Sequence, residues 1–477
     1  MISKKFIQLA LGVGTLALSS IGLAQTGSET TAAPKMSTAD EAAHLQYRLE
    51  NEGDVLAVVE AQEDGLLTVF HGRIIEVIVT GASKKVEREI HELLDPLVEM
   101  NAPLLKDLEF HLSLVTDLHG VSTSFGLQRL DSPGDYLLEV SVREIKGSGL
   151  VALDTIPRGG FDQIRGTLHQ EFYSLFEGGD VLRINANYEQ GLDSAGDGLS
   201  FFGSYQGFLG GNGAFFEIAA GNSSAKLNSM FLGSEDHGYA TTSVSLMVGK
   251  DISRTQTFSR VLYAEGALID DSVSNVGDSL LQVIRGSYFQ REDAADGSRT
   301  SVGLTASWGK DDNNYTGTNN YFSSLRGGFG HIAPLSRFIS SGELLIELFG
   351  QVASDETPGA ELFYLGSSQS LRGFSRGQYA GNNGLTASLE FGWLNFIAGQ
   401  TLRPFLFLDS GYIQNTNQQA LSISRPKDNS VSSTGLGLDL FFKDTFASLR
   451  GWIGVPIYDA EYPSEDPFLY VQFQVAW

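Results

Sequence analysis

The sequence predicts a mainly β protein, in which a small α+β domain of order β-α-α-β-β precedes a transmembrane antiparallel β-barrel of about sixteen strands. Three observations predict it. Residues 147–477 are short segments that alternate apolar with small or polar side chains, separated by Gly, Asn, Asp and Ser. The region before them changes from strand to helix periodicity and back. No long apolar run follows Gln25, so no helix is expected to span a bilayer.

The first residues predict an exported protein. Lys4 and Lys5 precede a mostly apolar stretch over 6–23, and small residues lead to a plausible cleavage point before Gln25. This pattern predicts a secretory signal peptide over 1–24. An uncleaved N-terminal helix is the alternative, which the polar residues inside the stretch and the lack of following stop-transfer charges disfavour.

Composition excludes several classes of protein. The chain has 57 acidic and 32 basic residues, a net charge of −25, which argues against a nucleic-acid partner because like charges would repel its phosphates. The absence of Cys removes a disulfide framework. A hydrophobic content of 42% excludes a disordered acidic tail. Packing and closed hydrogen bonding must therefore stabilise the fold.

Two segments precede the barrel. Residues 25–70 are predicted to form a linker or plug-like segment with one helix over Ala39–Glu52, about 20 Å long if intact. Residues 71–146 are predicted to form the α+β domain. Its first strand is Arg73–Val79, and Ser83 can cap the first helix. That helix presents one apolar face made of Val86, Ile90, Leu93, Leu94 and Leu97.

The second half of this domain is a helix followed by a hairpin. Asn101 and Pro103 open the helix, and two strands, Val121–Leu130 and Tyr136–Ile145, are joined by a turn that contains Pro133 and Gly134. The apolar face of the second helix is formed by Leu105, Leu108, Leu112 and Val115.

The alternating segments also suit a soluble β-sandwich, which has one buried and one wet face. Two features favour a barrel. The second face carries charges and amides suited to a watery lumen, and the chain ends inside a strand on the aromatic Trp477. A sheet in lipid must close on itself, because each backbone donor and acceptor needs a partner. At roughly twenty residues per strand and connection, the segment gives about sixteen strands.

Two short motifs predict a contact inside the barrel. The first is Leu371, Arg372, Gly373 and Phe374 in a long Gly-rich loop, and the second is Phe407, Asp409 and Gly411 on a strand. If Leu406 and Leu408 face lipid, Asp409 faces the lumen and can accept from an arginine fork. We expect this pair to be partly solvated and positional in role. Alternatively, the loop is an ordinary Gly-rich loop and Asp409 an incidental wall carboxylate.

These motifs resemble the (V/L)RG(F/Y) and F-x-D-x-G signatures of the superfamily that joins polypeptide-transport-associated (POTRA) domains to an outer-membrane barrel. Within it, residues 71–146 are most similar to the second POTRA domain of two-partner secretion transporters, the haemolysin secretion/activation type. The likeness lies in HGRIIEVIVTG, NAPLLKDLEFHLSLVTDLHGV and LDSPGDYLLEVSVRE. The stretch LDTIPRGGFDQIRGTLHQEFYSLFEGGDVLRINANY is similar to the first two barrel strands of that type.

The resemblance implies a function in the outer membrane of a Gram-negative bacterium, with the POTRA domain in the periplasm. An unfolded secreted polypeptide would dock on that domain and cross the barrel without an enzyme activity, cofactor, metal, nucleotide or nucleic acid. The residues expected to dock it are Arg73, Ile75, Val77, Val79, Leu105, Leu108 and Leu112. One departure is that such transporters usually have two POTRA domains, and residues 25–70 cannot hold a full first copy together with the family's plug helix and linker.

Three other functions stay open. A barrel-assembly factor shares both motifs but usually has more POTRA copies, and a passive porin would not need the periplasmic domain. A barrel enzyme is the third alternative, although His169, His237 and His331 have no nucleophile or metal spacing. His91 with Glu92 lacks the second His of a zinc helix. The Gly-rich segment 207–213 is more typical of a turn than of a phosphate site.

Overall fold

In the computed structural model the chain forms two compact units, residues 1–144 and 145–477. The signal peptide predicted over 1–24 lies outside the described residues. The structure describes residues 37–62, 66–158, 161–191, 197–227, 237–274, 277–314, 318–354, 357–366, 371–375, 379–397, 399–415, 428–443, 445–459 and 466–477.

The described residues of the first unit form three helices and five strands. In chain order these are α1 (Thr38–Asn51), β1 (Val58–Ala61), β2 (Leu67–Phe70), β3 (Arg73–Thr80), α2 (Lys84–Glu99), α3 (Leu105–Thr116), β4 (Val121–Arg129) and β5 (Asp135–Glu144). From β3 onward the order is β-α-α-β-β, which confirms the predicted α+β fold. None of the described helices has the length and hydropathy needed to cross a bilayer.

Helix α1 begins with a reciprocal cap. The Ser37 hydroxyl accepts from the backbone of Asp40 at 3.2 Å, and the Asp40 carboxylate accepts from the backbone of Ser37 at 3.3 Å. The helix is tied to β1 by Gln46, which donates to the carbonyl of Ala57 at 2.8 Å and accepts from the backbone of Val59 at 3.0 Å. The β1–β2 hairpin was not predicted, because strands of four residues are too short to show alternation.

The three-stranded sheet has the order β3-β5-β4, with β3 parallel and β4 antiparallel to β5. The register of β3 shifts between Ile74 and Glu76, so Ile75 bulges out of the ladder and is exposed. Among the described residues, β3 has a ladder partner on one side only. Helix α2 packs on this sheet, and the predicted apolar face of α2 is completely buried: Val86, Ile90, Leu93, Leu94 and Leu97.

The second unit is a closed barrel of sixteen long antiparallel strands, which confirms the predicted number. They are β6 (Gly147–Arg158), β7 (Phe161–Tyr173), β8 (Val181–Gly191), β9 (Asp197–Phe208), β10 (Ala214–Leu227), β11 (His237–Arg254), β12 (Phe258–Val273), β13 (Gly277–Asp293), β14 (Arg299–Asn313), β15 (Thr318–Pro334), β16 (Gly342–Ala353), β19 (Asn383–Trp393), β21 (Gln400–Gln414), β22 (Asp428–Phe442), β23 (Ala447–Asp459) and β24 (Phe468–Ala476). Short β17 (Phe363–Leu365) and β18 (Tyr379–Gly381) pair between β16 and β19, and β20 (Asn395–Ile397) pairs with the start of β21.

Strand β24 closes the barrel by pairing with β6, and the register covers only Gln472–Ala476 against Leu150–Asp154. Along the strands, the outer face is apolar, whereas the inner face carries polar side chains and some buried apolar ones. Strand β21 shows the alternation, with Leu406 and Leu408 exposed on the outer face and Asp409 buried inside. Because the sheet is closed, each long strand has a partner on both sides.

Candidate functional site: a loop anchored inside the barrel

The connection between β16 and β19 forms a small folded body inside the barrel. Strands β17 and β18 pair antiparallel within it, from Phe363 opposite Gly381 to Leu365 opposite Tyr379. Its apolar side chains pack against two residues of the barrel wall. This buried cluster consists of Phe363, Leu365, Leu371, Phe374, Tyr379, Ile413 and Val431. The loop is therefore held by packing as well as by polar contacts.

Arg372 at the loop tip binds Asp409 on β21. Its Nε donates to Oδ2 at 2.9 Å and its Nη2 to Oδ1 at 2.9 Å, which is the two-pronged geometry that suits a carboxylate. The backbone nitrogen of Arg372 also donates to Oδ2, at 2.8 Å. One carboxylate thus fixes both the side chain and the main chain of the tip.

The expected partial solvation of this pair is wrong. Arg372 is 2% exposed and Asp409 is completely buried. The apolar cluster of the loop and the aromatic wall beneath it exclude water, which a strand pattern alone does not reveal. Removing one partner from a buried ion pair typically costs about 3–5 kcal/mol, because the other charge stays buried and unpaired.

Two further wall residues complete the socket of Arg372. Its Nη1 donates to Glu390 on β19, and its Nη2 donates to the Ser388 hydroxyl at 3.1 Å, which in turn donates to Asp409 at 2.7 Å. The β19–β21 register places Ser388 directly opposite Asp409. Ser388 and Glu390 were not predicted as partners of Arg372. Their alternation with the exposed Leu389 was the available signal.

Arg403 extends the charge network along the wall. It donates to Glu390 at 2.8 Å, to Glu343 at 2.6 Å and to Asp439 at 3.1 Å. Glu390 thus lies between the loop arginine and a wall arginine. A carboxylate with two cationic neighbours stays compensated when one of them leaves.

An aromatic surface lies beneath the loop tip. The guanidinium carbon of Arg372 lies 3.8 Å from the ring centroid of Phe407, within the range of a cation–π contact. Phe407 belongs to a buried cluster of wall aromatics with Phe405, Trp452 and Tyr470. These rings shield the ion pair from water.

The glycines of both motifs allow close approach. Gly373 has a φ of +101°, and a Cβ there would lie 3.0 Å from the Cβ of Ser433. A Cβ at Gly411 would lie 3.0 Å from the Leu365 side chain. Gly454 on β23 was not predicted, yet a Cβ there would lie 2.7 Å from the backbone nitrogen of Gly373. A side chain at Gly454 would force the backbone of the tip to shift, whereas at Gly411 the neighbouring leucine side chain would have to move slightly.

The residues predicted to dock a partner are divided between the core and the surface of the first unit. Val77 and Leu108 are buried. The bulge in β3 places Val77 on the same buried face as Ile74. Ile75 is exposed at the bulge, and Arg73 is exposed with its Nε donating to Asp135 at 2.8 Å. The other three are partly buried: Val79, Leu105 and Leu112.

The arrangement holds the loop tip against the barrel wall. Within the described parts of the chain, no group of three or more His, Asp or Glu side chains is arranged to hold a metal ion. Within the segment 207–213, residues 207 and 208 end β9 and residues 209–213 form the connection to β10, as expected for a turn.

Comparisons with known proteins agree with this architecture. Residues 268–440 match the family model of the haemolysin secretion/activation protein ShlB/FhaC/HecB. No curated protein sequence matches the chain.

Three solved structures are similar in fold. CdiB from Escherichia coli has a TM-score of 0.76 at 16% identity, over 92% of this chain and 84% of that chain. CdiB from Acinetobacter baumannii has a TM-score of 0.73 at 14% identity, over 92% of this chain and 81% of that chain. BamA from Haemophilus ducreyi, lacking POTRA domains 1–3, has a TM-score of 0.54 at 14% identity, over 94% and 95%.

Proposed function

We propose that the chain is an outer-membrane transporter of the haemolysin secretion/activation family, and that its partner exoprotein crosses the barrel unfolded when Arg372 leaves Asp409 and Glu390. The family secretes partner exoproteins by two-partner secretion and is not a family of enzymes. The family match over residues 268–440 and the fold shared with CdiB support the predicted family, transport function and outer-membrane location.

The burial of Arg372 and Asp409 supports this proposal most directly. A loop that packs inside the barrel and is anchored by a water-excluded ion pair occupies space that a passing polypeptide needs. Export therefore requires the tip to leave its socket. These contacts allow Arg372 to leave and return. After it leaves, Glu390 still accepts from Arg403, and Asp409 still accepts from the Ser388 hydroxyl.

Docking is proposed to take place on the α+β domain of residues 71–146. An extended chain can add to the side of β3 that has no ladder partner among the described residues, reading backbone groups more than side chains. Ile75 and Arg73 are the docking residues that a partner can reach without opening the core. Strand addition requires the partner to be unfolded at this stage.

Replacing Arg372 by Ala tests the role of the tip. We expect export of the partner to fall by about tenfold or more, equivalent to ~1.4 kcal/mol, because a loop that has lost its anchor no longer returns to one closed position. Ion conductance of the purified barrel in planar bilayers should rise. The matched control is Arg183→Ala, since Arg183 lies on β8 and pairs with the wall residues Glu171 and Glu217. Unchanged export by Arg372→Ala at normal barrel levels would reject the proposal.

Docking is tested separately on the first unit. The double variant Ile75→Asp, Ile78→Asp places charges beside the open edge of β3 at two exposed positions, so we expect less cross-linking between this unit and the partner and less export. Glu76→Ala, between them on the same strand, is the control and should export normally. A partner that is exported after deletion of residues 72–145 would contradict docking on this domain.

A further inference from the structure

A second buried ion pair holds the other end of the same loop. Glu361, in a single turn of 3-10 helix over Gly359–Glu361, is 1% exposed. Arg285 on β13 donates to its Oε1 at 2.5 Å, and Nη2 of Arg326 on β15 lies 3.1 Å from its Oε2. A buried carboxylate held by two wall arginines is a built contact, not a chance surface pair.

The main chain is fixed at the same point. The carbonyl oxygen of Glu361 accepts from Arg326 at 2.8 Å and from the Gln351 side chain at 2.9 Å. Gln351 also donates to the carbonyl of Asn382, where the loop rejoins the barrel. Both the side chain and the backbone are therefore anchored, as they are for Arg372 at the tip.

The two anchors have opposite polarity. At the tip the loop supplies a cation and the wall supplies Asp409 and Glu390, whereas at the base the loop supplies the anion Glu361 and the wall supplies Arg285 and Arg326. The tip contacts reach β19 and β21, and the base contacts reach β13 and β15. The loop is thus bound to two different sectors of the wall.

We propose that Glu361 is a positioning residue that forms a second latch, so that the loop leaves the lumen only when both ion pairs open. The proposal rests on the proposed function for the meaning of loop release, but the latch itself is a property of the resting protein. Opposite polarity also prevents exchange between the sites, because Arg372 would be repelled at the base and Glu361 at the tip.

Single cysteines report the two latches separately, since the natural chain has no Cys. Leu362 lies beside the base latch and Leu371 beside the tip, and both are buried. Each is replaced by Cys in the full-length transporter, and labelling by a membrane-impermeant maleimide is followed in intact cells. Heat-modified electrophoretic mobility confirms that each barrel is folded.

Glu361→Gln removes the charge and keeps the shape. We expect it to raise the labelling rate of Leu362→Cys by about tenfold or more, and that of Leu371→Cys by much less. Arg372→Ala should give the reverse pattern. Arg326→Gln removes a wall partner of the base latch and should also raise the labelling rate of Leu362→Cys. Glu361→Asp keeps the anion and should recover part of the protection.

The matched control is Glu265→Gln. Glu265 is the other carboxylate that accepts from Arg285, at 3.0 Å, but it lies on wall strand β12. Protection unchanged by Glu265→Gln and lost with Glu361→Gln supports the latch. Equal labelling of Leu362→Cys with and without Glu361→Gln, or an equal rise with Glu265→Gln, would overturn it.

Labelling needs no partner protein, so it separates the two proposals. If Glu361→Gln exposes the base of the loop while export stays normal, the latch proposal is supported. The proposal that export needs controlled release of the loop is then rejected. If export falls without any change in labelling, the latch is overturned and the export proposal survives.

Discussion

The two units of the chain differ in which side chains they bury and which they expose. In the first unit, Leu93 and Leu94 are completely buried between helix and sheet. In the barrel, Leu246 is 52% exposed on the outer face, while Asp409 and Ser433 are completely buried inside. The first unit follows the rule for water, and the barrel follows the rule for lipid.

The difference shows that the free-energy cost of exposing an apolar side chain depends on the unit in which the side chain lies. Val98 in the first unit is 37% exposed to water, where a single apolar side chain is tolerated. Leu246 is 52% exposed on the outer face of the barrel, where the proposed membrane location surrounds it with hydrocarbon. Substitutions by charged residues can therefore distinguish the two surfaces.

The largest effect is expected in the core of the first unit. Leu93→Asp buries an unpaired carboxylate and should cost on the order of 4 kcal/mol or more, comparable to the whole stability of a small domain. The described α-helices all lie in this unit, so helical circular dichroism should fall. The four Trp residues lie in the barrel sequence, so Trp fluorescence should not change.

Val98→Asp on the same helix is the control for that variant. It adds the same charge at an exposed position, and its effect on unfolding free energy should stay within about 0.5 kcal/mol. Equal loss of helical signal in both variants would show that α2 does not bury the face observed here.

A smaller loss is expected on the lipid face. Leu246→Lys near the middle of β11 should lower the unfolding free energy of the barrel by about 2–4 kcal/mol, measured by Trp fluorescence in guanidinium and lipid vesicles. Ser245→Lys points its charge into the lumen and should cost less. A larger loss for Ser245→Lys would mean that the assigned faces of β11 are reversed.

Regular patterns explain how much of the fold could be predicted. Alternation on β21 is uninterrupted, so the lumenal position of Asp409 follows from the lipid-facing Leu406 and Leu408. In β3 the bulge at Ile75 breaks the alternation, so side chains assigned to one face are divided between core and surface. A bulge has no reliable sequence signal, because its extra residue can be of almost any type.

The candidate site was predictable only where its partners carry recognisable motifs. Arg372 and Asp409 each lie in one, and the structure brings them together. Glu361 is separated from Arg285 by 76 residues and lies in a plain loop segment. That contact depends on how the loop folds inside the closed barrel, which local periodicity does not encode.

The smallest expected effect is a pH dependence confined to the first unit. His111 on α3 is buried with its Nδ1 2.7 Å from the carbonyl oxygen of Leu93, and burial lowers the pKa of its imidazole below the ordinary value of 6.5. The unfolded chain therefore binds this proton more readily than the folded chain. Stability should be full above the ordinary pKa and should decrease as the pH falls below it.

Melting of the helical circular dichroism signal from about pH 7.5 to about pH 5 measures this effect, because that range crosses the ordinary pKa of His. Carboxylates titrate in the same experiment, so His111→Gln is compared with the natural chain at each pH. Gln keeps a donor near the Leu93 carbonyl but does not titrate, and its melting temperature should fall less on acidification. Trp fluorescence reports the barrel and serves as the internal control in both proteins. Identical pH profiles of the melting temperature would mean that acid destabilises this unit through its carboxylates and not through His111.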